Sequence, residues 1–95
     1  MSERILTLHP AGKQGVNIDR DKYELIRQAI LDSLAQRGEI PFGDLSEAVA
    51  INLAGPFDGS IGWYTVSVKL DLEARGVIER VPGRSPQIVR LATAS

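Results

Sequence analysis

The sequence predicts a single α+β domain in which three helices precede a C-terminal β-hairpin. The chain has 95 residues, of which 43% are hydrophobic and 24% charged, a size and composition suited to one buried core rather than two. Apolar residues recur every three or four positions in three stretches, as in amphipathic helices. Two short apolar stretches then flank a turn sequence, as in a hairpin. We therefore predict one domain over residues 1–95.

The N-terminal part, residues 1–19, is predicted to be an extended arm with a short apolar strand and a turn-rich loop. The first helix is predicted over residues 20–38. Asp21 and Glu24 form a capping pair at its start, and apolar residues follow at helical spacing. Gly38 ends the run, as glycine commonly does after a helix.

The second and third helices are predicted over residues 44–54 and 60–75. An Asp-x-x-Glu pattern starts the second helix at Asp44. Ser60 is a suitable N-cap for the third helix, and Gly76 a suitable residue after its end. The third segment also alternates apolar and polar residues as a strand would, but its helical spacing and its helix-like end favour a helix.

The C-terminal hairpin is predicted over residues 77–91, with its turn at residues 82–86. The turn has the sequence Pro-Gly-Arg-Ser-Pro, in which prolines stand at both ends. The C-terminal part of the chain is also its basic end. The arginines in question are Arg75, Arg80, Arg84 and Arg90.

The transition from the third helix into the hairpin resembles a known arrangement. Its sequence is Leu72-Glu73-Ala74-Arg75-Gly76-Val77-Ile78-Glu79-Arg80. It resembles the winged helix-turn-helix domains of bacterial transcription regulators, in which a helix ending in Leu-Glu-x-x-Gly runs into a two-stranded wing. The likeness covers residues 21–91. The chain also looks like a family of short bacterial proteins that carry this fold and have no assigned function, on the basis of His9-Pro10, Gly12-Lys13 and Trp63-Tyr64.

The resemblance to the regulators implies a DNA-binding function with duplex DNA as the partner. The third helix would be the recognition helix, and residues 82–86 the tip of the wing. The residues expected to face the DNA are Ser60, Trp63, Tyr64, Ser67 and Lys69 on the helix and Arg84 on the wing.

A winged helix that binds protein instead of DNA is the alternative hypothesis. The net charge is −1, so no global positive field attracts nucleic acid. The third helix carries carboxylates at Asp71 and Glu73, which phosphates would repel. The stretch from Glu39 to Asp58 is acidic and contains no basic residue.

The third helix is apolar on two sides, which is relevant to the hypothesis that the domain binds protein. One face consists of Ile61, Tyr64, Val68 and Leu72, and nearly opposite lie Trp63, Val66 and Leu70. Either the N-terminal arm or the hairpin covers this second face and buries Trp63, or the face binds a protein partner or a second copy of the chain. Because monomers rarely expose large apolar patches, we expect the arm to cover it.

Composition sets several function classes aside. The chain has no cysteine and one histidine, His9, and no ligand-spaced motif, so we predict no metal site and no cofactor. Ser60 and Ser85 lack the context of a nucleophile elbow, so we do not expect an enzyme. No apolar run approaches the roughly 20 residues of a membrane span, and no signal layout precedes the domain. We therefore expect a cytoplasmic protein with no membrane partner.

Overall fold

The computed structural model describes residues 3–53 and 55–92. It is an α+β fold with three helices and two small antiparallel sheets, which confirms the predicted class. The elements in chain order are β1 (Arg4–Leu6), β2 (Asn17–Asp19), α1 (Arg20–Arg37), β3 (Glu39–Pro41), α2 (Phe42–Asn52), α3 (Ile61–Ala74), β4 (Ile78–Arg80) and β5 (Ile88–Leu91). The predicted ends of the arm, of the second helix and of the domain fall partly on residues 1, 2, 54 and 93–95, outside the described residues.

The first sheet consists of β1 and β2, which pair antiparallel with Ile5 opposite Ile18. One strand was predicted in this region, and β2 was not. The three residues of β2 carry a single apolar side chain, which is too short a pattern to indicate a strand. Ile18 is buried and attaches the sheet to the helices.

Gly15 allows the two ends of the loop between β1 and β2 to approach each other. A Cβ atom on residue 15 would lie 1.8 Å from the carbonyl oxygen of Thr7. Two hydrogen bonds join the chain at this point, from the backbone N–H of Thr7 to the carbonyl of Val16 at 2.9 Å and from the backbone N–H of Val16 to the hydroxyl of Thr7 at 2.9 Å. Only glycine therefore fits this close approach.

We expect Gly15→Ala to lower the free energy of unfolding by about 1–3 kcal/mol, because the added methyl group must push apart a hydrogen-bonded and partly buried pair of segments. Chemical denaturation monitored by circular dichroism measures this change. Gly43→Ala in α2 is the matched control, since a Cβ atom there meets nothing within 4 Å. An equal effect of the two substitutions would contradict the role assigned to Gly15.

α1 begins after Asp19, which is its N-cap in place of the predicted Asp21. The carboxylate of Asp19 accepts a hydrogen bond from the backbone N–H of Lys22 at 3.2 Å. Asp21 instead lies in the first turn, where its charge complements the helix dipole. At the other end, Gly38 has a φ of 80° and donates its N–H to the carbonyl of Leu34, so the helix ends where predicted.

The start of α2 differs from the prediction by two residues, whereas α3 begins as predicted. Pro41 is the N-cap of α2 and makes no capping bond through its side chain, while Asp44 lies in the first turn. A proline has a fixed φ that is compatible with entry into a helix, so no Asp-x-x-Glu cap is needed. In α3, the Ser60 hydroxyl accepts from the backbone N–H of Trp63 at 3.1 Å, and Gly76 has a φ of 76°.

The second sheet has three strands in the order β3-β5-β4, with both pairs antiparallel. The two strands of the predicted hairpin therefore pair directly. The segment predicted as an extended link before the second helix is a third strand, in which Ile40 lies opposite Val89. β5 is thus the central strand of the sheet.

The core lies between the three helices and the second sheet. The apolar side chains with no exposure are Ile26, Ile30, Ile40, Leu45, Val49, Val68, Leu72 and Val89. Val68 and Leu72 belong to the inner face predicted for the third helix, so α3 packs through that face. Its opposite side points away from the core.

Candidate functional site

The outward side of α3 presents an uncharged, largely apolar surface. Trp63 is 48% exposed and Val66 39% exposed, and Ser67 and Leu70 are partly exposed. Each of these four residues lies three or four positions from two of the others, which aligns them along one stripe of the helix. We call this stripe, Trp63, Val66, Ser67 and Leu70, the α3 outer face.

Three aromatic rings contact one another at the N-terminal end of the α3 outer face. The ring of Trp63 lies 5.0 Å from that of Tyr64 in an edge-to-face arrangement, and Tyr64 contacts Phe57 in the same way at 5.1 Å. The Lys22 ammonium lies 5.6 Å from the centre of the Tyr64 ring. Tyr64, which was predicted to face DNA, is therefore partly buried, while Trp63 remains accessible and is positioned by its neighbour.

The N-terminal arm does not cover Trp63, contrary to our expectation. The loop after β1 reaches the other end of the α3 outer face, where Leu8 lines a 70 Å³ cavity with Ser67 and Leu70. The backbone N–H of Leu8 donates to the carboxylate of Asp71 at 2.8 Å. Asp71 lies eight residues beyond Trp63, about 12 Å along the helix. Because the arm is attached this far from them, Trp63 and Val66 remain exposed to solvent.

Lys69, which was predicted to face DNA, is buried in the structure. Its side chain is only 2% exposed and forms an ion pair with Glu73. The ammonium also donates to the side-chain oxygen of Gln87 and lies 4.6 Å from the centre of the Phe42 ring. Lys69 therefore links α3 to the second sheet and to the start of α2, and its charge is neutralised inside the fold.

Asp71 is also buried, and it joins three parts of the fold. Its carboxylate accepts hydrogen bonds from the Tyr23 hydroxyl of α1, from Arg75 Nε at 2.9 Å and from the backbone N–H of Leu8. Its side chain has no exposure. The expectation that Asp71 would repel phosphates from the surface of the helix is therefore wrong. Burial, together with the hydrogen bond to Asp71, raises the pKa of Tyr23 to about 12.

The raised pKa of Tyr23 predicts a loss of stability in alkaline solution. The folded value is about 12, compared with 10.0 for an ordinary tyrosine, so the folded state holds the phenol proton more tightly than the unfolded state does. The resulting stabilisation is fully present below pH 10 and is lost as the pH rises through 12. We expect the free energy of unfolding to fall by up to about 3 kcal/mol over this interval.

Urea denaturation of the wild type and Tyr23→Phe at about pH 9 and about pH 11.5 measures this loss. Tyr23→Phe cannot ionise at this position, so its stability should fall less over the same interval. Parallel decreases in the two proteins would show that Tyr23 does not cause the effect.

The arginines of the C-terminal part pair with carboxylates. Arg80 lies 3.1 Å from Glu73, and Arg90 lies 2.6 Å from Glu79. Arg84, in the turn between β4 and β5, has a side chain that is 55% exposed and lies 4.0 Å from Glu39. Of the residues predicted to contact DNA, Arg84 thus carries the accessible charge, but it lies on a different element from the exposed Trp63.

The histidine and the carboxylates of the described residues do not cluster as metal ligands would. His9 lies in the loop after β1, where its Nδ1 accepts from the backbone N–H of Ala11 at 3.1 Å. Over residues 3–53 and 55–92, no group of three or more histidine, cysteine, aspartate or glutamate residues is placed to hold a metal ion. No helix in that part of the chain is long and apolar enough to cross a membrane.

The structure has a groove on the outer side of α1 that was not predicted from the sequence. It has a volume of 420 Å³ and combines apolar, acidic and amide side chains. The residues that line it are Asp21, Glu24, Leu25, Gln28, Ala29, Asp32 and Asn52. Leu25 lies between acidic residues and is 37% exposed. A helical projection of the first helix, as made for the third, would have shown this apolar position among carboxylates.

Comparison with known proteins assigns the chain to a family. Residues 4–89 match the family model DUF6958, described as a family of unknown function. No curated protein and no solved structure matches the chain. The matched range extends from β1 into β5 and includes all three helices. It therefore covers both sheets and the whole core, so the chain belongs to DUF6958, a family of unknown function.

Proposed function

We propose that this chain is a winged-helix domain that binds protein through the α3 outer face, with a second copy of the chain as the partner. The order of elements from α1 to β5 and the sheet order β3-β5-β4 support the winged-helix arrangement. In that arrangement, α3 takes the place of the recognition helix. The hairpin of β4 and β5 takes the place of the wing.

The exposure of Trp63 within an uncharged stripe carries the proposal. A helix that reads DNA places polar or basic side chains against base edges and phosphates. On α3 the corresponding stripe contains Trp63, Val66 and Leu70, while Lys69 is buried. Large aromatic side chains of this kind anchor protein interfaces, where they exclude water from their surroundings.

A second copy of the chain fits this surface because the stripe carries no charge. A twofold axis brings the same residues of two copies together, so a charged stripe would meet its own charge. The α3 outer face avoids this repulsion. Its residues also form a ridge along one helix, which can pack against the same ridge of a second helix.

The single tryptophan of the chain provides the test, because its fluorescence reports the environment of position 63. Dilution of the protein should shift the emission maximum to longer wavelength as the dimer dissociates and Trp63 becomes exposed to water. The sedimentation coefficient should decrease over the same concentration range. A monomer with unchanged emission at all concentrations would refute self-association.

Duplex DNA binding is the second candidate function, and the exposed Arg84 is the observation that favours it. In this alternative, Arg84 contacts a phosphate from the turn of the hairpin, while Ser60 and Ser67 face the groove with Trp63. We expect Arg84→Ala to reduce the slope of log K against log salt concentration by about 0.9, the value for one lost phosphate contact. Arg37→Ala, at the exposed end of α1, is the control. Absence of binding to mixed-sequence DNA at low salt would contradict this candidate.

A further inference from the structure

We propose that the groove on α1 binds a basic amphipathic helix of another protein. This α1 groove is formed by residues of α1 together with Asn52 at the end of α2. It is separate from the α3 outer face and shares no residue with it. The inference therefore does not depend on self-association of the chain.

The charges of the α1 groove define the chemistry of the partner. Asp21, Glu24 and Asp32 line it, and none of the three forms a salt bridge with another residue of the described part of the chain. Asp32 accepts a hydrogen bond from the side chain of Gln28 at 2.9 Å, which orients its carboxylate without neutralising it. Lysine or arginine side chains of a partner would neutralise these charges, whereas phosphates would be repelled.

The apolar residues of the groove define the shape of the partner. Leu25 is 37% exposed and lies between the acidic residues with Ala29. The acidic residues extend over eleven positions from Asp21 to Asp32, about 16 Å along the helix. A partner helix of about three turns spans this length, with its apolar side chains against Leu25 and its basic side chains toward the carboxylates.

The wall of the groove formed by α2 is fixed in place. The side-chain amide of Asn52 donates to the hydroxyl of Ser33 at 3.0 Å and to the carbonyl of Ala48 at 3.1 Å. Its oxygen accepts from the side chain of Gln36 at 3.0 Å. Because α1 and α2 are joined here, the partner meets a preformed site and binding costs little reorganisation.

The arginines of the C-terminal part of this chain are poor candidates for the occupant. Arg80 and Arg90 already pair with carboxylates at 3.1 Å and 2.6 Å, and they lie on strands rather than on a helix. Arg75 pairs with buried Asp71. These three arginines therefore do not form an exposed basic helix that could enter the α1 groove of a second copy.

The test uses a fluorescein-labelled synthetic peptide of 14 residues that forms a helix with leucines on one face and lysines on both flanks. A second peptide has the same composition in an order that is not amphipathic. Fluorescence anisotropy is recorded with the full chain. We expect the amphipathic peptide to bind at least tenfold more tightly than the scrambled peptide, since only the former places its leucines against Leu25.

Two double variants with equal changes in net charge locate the site. Glu24→Lys with Asp32→Lys changes the groove, whereas Glu47→Lys with Asp58→Lys changes exposed positions that do not line it. We expect the groove variant to lose at least tenfold in affinity and the control to lose no more than about twofold. Leu25→Gln should weaken binding several-fold without a change in charge.

Three outcomes would overturn the α1 groove as a binding site. They are no binding of the amphipathic peptide, equal binding of the scrambled peptide, and equal losses in the two double variants. Trp63→Ala should bind the amphipathic peptide as the wild type does. Its behaviour separates a failure of this inference from a failure of the proposed self-association.

Discussion

Asp71→Ala should lower the free energy of unfolding by about 2–5 kcal/mol, because each buried donor left without its acceptor costs about 1–3 kcal/mol. The substitution leaves the Tyr23 hydroxyl and the backbone N–H of Leu8 without their acceptor. It also removes the partner of Arg75. Small domains have only about 5–15 kcal/mol of stability in total, so this loss would bring the protein close to unfolding at room temperature.

Urea denaturation measures the stability change, and hydrogen exchange at the amide of Leu8 tests its cause. Asp71→Asn keeps an oxygen acceptor but loses the charge, so we expect an intermediate loss and partial protection of that amide. Asp58→Ala, at an exposed position in the loop before α3, is the control and should change the stability by less than about 0.5 kcal/mol. If Asp71→Ala were as stable as the control, the network around Asp71 would not support the fold.

Elements with long periodic patterns were predicted closely, and short ones were not. α1 and α3 have several turns of apolar spacing and glycines beyond their ends, and their bounds differ from the prediction by no more than one residue. β2 has only three residues, too few to show a periodic pattern, and its pairing with β1 depends on the close approach at Gly15. No local pattern contains that information, because the approach arises from the tertiary structure.

The candidate site was predicted less completely than the helices. Which charged side chains of α3 are buried depends on the residues that pack against the helix, and these lie far away in the sequence. Lysine and aspartate ordinarily lie at the surface, so Lys69 and Asp71 were expected to face solvent. In the structure, each is buried with a partner at a distant position, Gln87 for Lys69 and Tyr23 for Asp71. The outward stripe of α3 is therefore narrower and more apolar than its sequence indicates.

The exposure of Trp63 has a related cause. The expectation that the arm covers it came from the rarity of large exposed apolar patches on monomers. The arm is instead attached at Asp71 through Leu8, on the far half of the helix. The position of this attachment depends on a part-buried hydrogen bond between distant residues, which spacing along the sequence does not reveal.

Trp63→Ala should abolish self-association and leave a folded monomer. Because Trp63 is 48% exposed, its removal should cost the monomer only about 1 kcal/mol, mostly from the lost contact with Tyr64. A buried tryptophan would cost about 3–5 kcal/mol. Sedimentation velocity measures the association state, and thermal melting of the dilute protein measures the stability. A variant that associates as strongly as the wild type would refute the anchoring role of Trp63.

Two variants with opposite charges at position 67, Ser67→Glu and Ser67→Lys, test whether the partner is a second copy of the chain. Across a twofold axis, Ser67→Glu places carboxylates near each other and Ser67→Lys places ammonium groups near each other, so each variant alone should remain monomeric. An equal mixture of the two should associate again, because a glutamate then faces a lysine. Sedimentation of the mixture at low salt, compared with each variant alone, provides the measurement. A mixture that stays monomeric while the wild type associates would show that the α3 outer face is not where two copies meet.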